Sequence, residues 1–260
     1  MPLRNFLIAA GLGIASIALY GADLAPLHAD CTIGPSENAG HFRLEIDKGD
    51  CFGQHHCHNN FSGDSLSRFT GITLADLDRE GAKLTATLTA EAGTFTCSGT
   101  VRDHELEGSS TFTPNSAFVE KMDRMGYPGL DSEKLMAYAF IGVDSPWVES
   151  MKQTGVSGIT ADNLLALRIF KIDPAYVHSF TAVGYEMPDA DKLIALKVQG
   201  VNGEEVRQIR ELGYQPTLDE LIQIRIFHIT PEFIRRMQDR GLKNLTISKL
   251  VQIRIFKLDE

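Results

Sequence analysis

At 260 residues the chain has room for one or two cores, and its 43% hydrophobic and 23% charged content excludes global disorder. The net charge of -9 argues against a nucleic-acid partner, because neutralising phosphates needs a basic surface. The acidity is uneven: from Thr113 onward 18 Lys+Arg face 20 Asp+Glu, against 7 and 14 before it.

The first predicted element is an export signal over residues 1–29. Arg4 supplies a short positive start, and the stretch from Phe6 to Leu19 is uncharged and rich in Ala, Ile and Leu. That run falls short of the ~20 residues of a membrane span and suits a signal core. Leu27-His28-Ala29 is a fair cleavage site, and a retained N-terminal anchor is the alternative. Cys31 lacks the small residues that precede a lipidated cysteine. Export points to the periplasm or the cell exterior, where disulfides persist. The four cysteines, Cys31, Cys51, Cys57 and Cys97, all lie in the first hundred residues, and four cysteines allow three pairings.

Residues 30–112 read as a small antiparallel β domain, a sheet or sandwich. His41 to Ile46, Lys83 to Thr89, Thr94 to Ser98 and Glu105 to Phe112 follow the period of two that marks strands. Ala92-Gly93 and Asp103-His104 suit hairpin turns, and Thr73 to Arg79 suits one helical turn capped by Thr73. Within this domain stands His55-His56-Cys57-His58, with His41 and Cys51 near it in sequence. Imidazole and thiolate are good zinc or copper ligands. Successive strand residues face opposite sides, so a site could use His56 with His58, or His55 with Cys57. The metal reading rests on His56 and His58. The plainer reading is a polar, exposed segment beside a disulfide that consumes Cys57. His104-Glu105 opens a zinc-protease pattern, but Gly108 stands where the second His belongs. The sequence has no Gly-x-Ser-x-Gly elbow and no phosphate-binding glycine loop, so no catalytic residue and no cofactor is expected.

Residues 113–260 repeat. Gly126, Gly155, Gly184, Gly213 and Gly241 are spaced 29, 29, 29 and 28 apart. Eleven residues before each stands a helix-capping type: Asn115, Asp144, Asp173, Asn202 and Thr230. An apolar stripe follows at helical spacing, with Val119, Val148, Val177, Val206 and Ile234 seven residues before the glycine. Eight before it are Phe118, Trp147, Tyr176, Glu205 and Phe233, Glu205 being the exception. The glycine ends the helix in the left-handed conformation. A second helix starts from Asp131, Thr160, Asp189, Thr217 and Thr246, with Thr217 and Glu220 in capping-box spacing. These are five helix-turn-helix units, at about 113–141, 142–170, 171–199, 200–227 and 228–256. A pair of helices this small buries its apolar face only against its neighbours, which predicts a solenoid-like stack.

Equivalent positions of the second helices carry Arg168, Lys197, Arg225 and Arg254, with Ala139 in the first repeat. Stacking would align them as a basic column able to bind an acidic protein partner or an anionic envelope component. The plainer reading is a solvated stripe paired with acids of neighbouring helices, such as Asp219 and Glu220.

The segment Thr111-Phe-Thr-Pro-Asn-Ser-Ala-Phe-Val119 with Met125-Gly-Tyr127, and the recurrent His228-Ile-Thr-Pro-Glu-Phe-Ile234, resemble exported bacterial proteins of uncharacterised function. Similar repeats occur in the extracytoplasmic parts of β-lactam-sensor-type membrane peptidases and in anti-sigma-factor-like proteins. Ala92-Gly-Thr-Phe-Thr-Cys-Ser-Gly99 is similar to the β domain that often precedes them. The resemblance runs from about Phe42 to the C-terminus. It implies a sensing or interaction role near the envelope and supplies no catalytic residue. The expected architecture is thus α+β in two domains, a β domain followed by a helical repeat array, serving as an exported, non-catalytic binding protein.

Overall fold

The computed structural model describes residues 24–37, 40–48, 67–242 and 245–258, and the backbone of 49–51 and 55–62. The expected signal segment up to position 23 lies outside the described residues. Six antiparallel strands come first: β1 (Leu27–Pro35), β2 (Phe42–Cys51), β3 (His55–Ser62), β4 (Lys83–Ala90), β5 (Gly93–Arg102) and β6 (Glu105–Pro114). A 3₁₀ turn at Leu74–Asp78, capped by Thr73, sits between β3 and β4. Ten helices follow: α1 (Ser116–Met125), α2 (Ser132–Ile141), α3 (Ser145–Gln153), α4 (Ala161–Ile169), α5 (Pro174–Ala182), α6 (Ala190–Val198), α7 (Gly203–Glu211), α8 (Leu218–Ile226), α9 (Pro231–Asp239) and α10 (Ile247–Ile255). None of the described helices is long and apolar enough to cross a membrane.

The strands form one sheet in the order β3-β2-β1-β6-β5-β4, so the domain is a sheet and not a sandwich. Period-two patterning does what it should: Phe42, Leu44 and Ile46 of β2 are buried, as are Ala86 and Leu88 of β4 and Phe95 and Cys97 of β5. Asp103 and His104 both have positive φ, 48° and 64°, as a two-residue turn matched to strand twist requires. The β4–β5 turn falls at Glu91-Ala92, one residue before the expected pair. β1 begins at Leu27, inside the segment read as signal, and pairs Leu27, His28 and Ala29 with Phe112, Thr111 and Ser110 of β6.

β1 and β5 flank β6 on either side, so in a flat sheet they would lie about 9.6 Å apart, two strand spacings. The Cα atoms of Cys31 and Cys97 on these strands are 6.1 Å apart and joined by a disulfide. The sheet therefore folds sharply about β6. Gly99 and Gly108 pair at the fold, where a Cβ on Gly99 would stand 1.9 Å from the Glu107 carbonyl oxygen.

Each helix starts where the sequence places a cap. Asn115, Asp144, Asp173, Asn202 and Thr230 accept a backbone N–H at the head of the first helices, and Asp131, Thr160, Asp189, Thr217 and Thr246 do so for the second. Thr217 and Glu220 close a capping box. All helices but α3 end in the same motif, in which the second N–H beyond the C-cap region reaches back five residues, as from Tyr127 to Met122 and from Val201 to Leu196. The five repeat glycines hold the left-handed φ this needs. The second helices stack in sequence, α2 on α4, α4 on α6, α6 on α8 and α8 on α10. Stripe residues Val148, Val177, Val206 and Ile234 of the first helices are fully buried in the core.

The core boundary does not coincide with the end of the sheet. One cluster joins the sheet to α1, α2 and the first turns of repeat two, and a second runs from Met151 to Val251. Phe95 of β5 meets Phe140 of α2 edge-on at 5.0 Å. Glu91, in the β4–β5 turn, accepts hydrogen bonds from the Ser145 backbone N–H at 2.7 Å and the Ser145 hydroxyl at 2.6 Å, at the head of α3. Lys121 of α1 pairs with the same carboxylate at 3.0 Å. Burial disfavours the Glu91 charge, but these hydrogen bonds outweigh it and hold the carboxyl below its ordinary pKa.

Candidate functional site

The basic column stands on the second helices and leans onto the first helix of its own repeat. Arg168 lies over the Trp147 ring at 5.1 Å, Lys197 over Tyr176 at 4.1 Å, and Arg254 over Phe233 at 4.0 Å. In the fourth repeat the aromatic is replaced by Glu205, and Arg225 pairs with its carboxylate at 3.5 Å. The first repeat has no cation, and there Phe118 packs edge-on against Tyr138 at 6.4 Å. The column thus follows the aromatic position repeat by repeat, including its one exception. Each cation–ring contact contributes about 0.5–1 kcal/mol at such partly exposed sites.

The same side chains also tie repeats together. Arg225 Nε donates to the Gln199 carbonyl at 2.9 Å, and Arg254 Nη2 donates to the His228 carbonyl at 3.3 Å. These acceptors end the preceding second helix, where carbonyls lack helical partners and a cation is favoured. Tyrosine hydroxyls make similar links: Tyr138 donates to Ala161 O at 2.6 Å and Tyr176 to Val201 O at 2.9 Å. Burial pushes both hydroxyls up from their ordinary pKa. The column is therefore engaged within the array.

The residue after each column cation gives the array its exposed apolar surface. Ile169, Val198, Ile226 and Ile255 are 49%, 52%, 49% and 52% exposed, at equivalent places on α4, α6, α8 and α10. Phe170 and Phe256, one residue further on, are also exposed. On α2 the same two places hold Phe140, fully buried, and Ile141, partly buried. The difference is the sheet. Phe140 and Met136 of α2 lie under it, beside Phe95 and Phe112. One face of the second helices is thus covered by the chain's own sheet in repeat one and open from repeat two onward. The sequence reading missed this edge. Its signal was that runs such as Leu164-Leu-Ala-Leu-Arg-Ile-Phe170 carry more apolar residues than one buried face requires.

Beyond the second helix a left-handed residue follows in every repeat: Gly142, Lys171, Gly200, His228 and Lys257. Lys171, His228 and Lys257 have φ of 53°, 52° and 50°, a conformation that costs a non-glycine residue about 1 kcal/mol.

The side chains of His56 and His58 lie outside the described residues. Their backbone register sets His56 opposite Asp50 and His58 opposite Asp47, across an irregularity in β2. Among the described residues no group of three or more His, Cys, Asp or Glu could hold a metal. A cavity of about 60 Å³ between sheet and α2 is lined by Leu27, Ile46, Phe95, Phe112 and Met136 and closed by the Lys48–Glu133 ion pair. It has room for water only. An open groove of about 540 Å³ runs between the turns of repeats three and four, past Tyr185, Pro188, Arg210 and Pro216.

No family model, curated protein or solved structure matches the chain.

Proposed function

We propose that the chain is an exported, non-catalytic interaction or sensing protein that binds a protein or envelope partner through the surface of its helical array. The observation that carries this reading is the periodic exposed row Ile169, Val198, Ile226 and Ile255, on a face the chain buries where its own sheet reaches it. Monomers seldom leave a contiguous apolar strip open along one face without a use for it. The Cys31–Cys97 disulfide suits a non-reducing compartment. Periplasmic or extracellular placement, the signal segment and the resemblance to envelope sensor repeats belong to the same proposal. The basic column contributes by stiffening the array that presents the row.

The test is a cross-linking capture from native envelopes with the full chain as bait, beside a Val198→Glu, Ile226→Glu variant. A saturable partner lost in the variant supports the reading. Retention of nothing, or of material indifferent to the variant, sinks it.

A second reading, a zinc or copper site at His56 and His58, is favoured by the two aspartate positions that face them across the β2–β3 pairing. A metal copurifying in elemental analysis, and lost in His56→Ala, would support it. Metal-free protein whose melting temperature ignores added zinc and copper would remove it.

A further inference from the structure

We infer that the open edge of the second helices, from repeat two to repeat five, docks the protein on an anionic lipid surface. The inference rests on the array being the binding part of the molecule, and it names the partner.

The edge combines two kinds of side chain. Ile169, Val198, Ile226 and Ile255 form its apolar row. Lys171, His228 and Lys257 are exposed beside it, two residues further along the chain. These three sit on left-handed backbone, where repeats one and three use the unstrained glycines Gly142 and Gly200. A strained residue in place of an available glycine points to a use for its side chain. The position is glycine in repeat one, where the sheet covers Phe140, and also in repeat three beside the open Val198, so the three side chains stand at repeats two, four and five.

Charge along the second helices is segregated. Their acids, Asp162, Asp191, Asp219 and Glu220, are confined to the first turn. Six or seven residues of helix separate them from the apolar row, about 9–10.5 Å along the axis. At the C-terminal edge Lys171 and Lys257 join the column cations Arg168, Lys197, Arg225 and Arg254 against two acids, exposed Asp173 and half-buried Glu205, so the edge is net cationic although the whole chain carries -9. The first-turn acids stand about one Debye length, roughly 8–10 Å, from the row, so screening weakens their repulsion of a membrane whose anionic surface meets the row.

Three occupants can be compared. A second copy facing the same edge would set Lys171 and Lys257 against like charges. An acidic extended segment is best held in a groove, and neither the 60 Å³ cavity nor the 540 Å³ groove is lined by the row. A leaflet rich in anionic headgroups needs neither: cations lie among the headgroups while short aliphatic and aromatic side chains enter the layer just beneath.

The test is cosedimentation of the full chain with phosphatidylcholine vesicles, with and without phosphatidylglycerol at roughly 30 mol%. Retention is expected on the anionic vesicles alone and should fall as salt rises. A Lys171→Gly, Lys257→Gly variant should bind about fivefold more weakly for each lysine removed. It should melt no lower than the parent, because glycine suits that backbone, so weaker binding cannot be laid to misfolding. Ile169→Ser with Ile226→Ser should abolish retention. No retention on anionic vesicles at low salt would overturn the inference. So would retention that both variants leave intact, or dimerisation through this edge. A protein ligand that needs the row in the absence of lipid binding would overturn the lipid assignment and leave the array as the binding part.

Discussion

Arg225 sets a guanidinium nitrogen 3.5 Å from the Glu205 carboxylate, at the place where Arg254 of the next repeat covers the Phe233 ring. One geometric slot is therefore filled in two chemical ways. Glu205 is half-buried in it, and its Oε2 has no hydrogen-bond partner. Burial pushes its carboxyl above the ordinary value of 4.5, and Arg225 offsets only part of that. A half-buried ion pair is commonly no better than an apolar residue of similar size. Glu205→Phe should therefore stabilise the array by about 1 kcal/mol, since it gives Arg225 the ring its equivalents have. Chemical denaturation measures this. A loss of stability would show that the slot in repeat four is shaped for a carboxylate.

The two carboxylates of opposite shift should reveal themselves in pH dependence. Glu91 is held below 4.5 when folded, so its contribution is present above that pH and is lost as pH falls through the folded value. Glu205 is held above 4.5, so its contribution is full below that pH and is lost as pH rises through the folded value. Relative to the parent, Glu91→Gln should cost most at neutral pH and little in acid. Glu205→Gln should cost least at neutral pH. Melting curves from pH 3 to 8, a span of about 5 units around both values, test the pair. Parallel curves for parent and variants would contradict both assignments.

Three residues beyond the second helices carry a removable strain. Lys171→Gly, His228→Gly and Lys257→Gly should each raise stability by about 0.5–1 kcal/mol, the left-handed penalty less the extra freedom of an unfolded glycine. The reverse change, Gly200→Lys, should cost a similar amount, and more if the side chain meets Arg225, whose guanidinium would lie 2.8 Å from a new Cβ. Urea midpoints read both. Equal midpoints for all four variants would show that the backbone relaxes around these side chains.

The repeats were legible because their signals are local. A cap oxygen, an apolar stripe and a left-handed glycine act within one helix, and each recurs five times, as at Asp144, Val148 and Gly155. The column positions were legible for the same reason, but their partners were not. That Arg168 faces Trp147 depends on how two helices lean together, which no spacing encodes. The edge formed by Ile169 and its equivalents was hidden because exposure is a tertiary property, and an isoleucine reads as core until its neighbours are placed. β1 shows a different failure. Leu27, Ala29, Cys31 and Ile33 alternate as a strand should, but a cleavage-site reading of Leu27-His28-Ala29 claimed the first three residues. The sharp fold of the sheet rests on Gly99 meeting Gly108, a pairing visible only once β5 and β6 are in register.

That strand yields a prediction about the N-terminus. Ser132 at the head of α2 donates to the Ala25 carbonyl at 2.7 Å, and Leu27 and Ala29 pack against the core. A chain starting at Asp30 loses three paired residues of β1, with their apolar contacts. It should be less stable by about 2–4 kcal/mol than one starting at Leu24. Thermal unfolding of the two purified forms decides this. Equal stability would mean that β1 contributes only from Asp30 onward, and would make Ala29 an acceptable processing point.

The disulfide should matter most to the sheet. Cys31 and Cys97 are 66 residues apart, and a closed loop of that length removes about 4 kcal/mol of chain entropy from the unfolded state. The bond also holds β1 to β5 across β6, where no backbone hydrogen bond connects them. Cys31→Ala with Cys97→Ala should therefore lower stability by about 2–5 kcal/mol. Because the sheet shares a core with α1 and α2, the first two repeats should lose hydrogen-exchange protection with it. Repeats four and five, whose side chains lie in the second core, should keep theirs. Uniform loss from sheet to α10 would instead show that the two cores unfold as one cooperative unit.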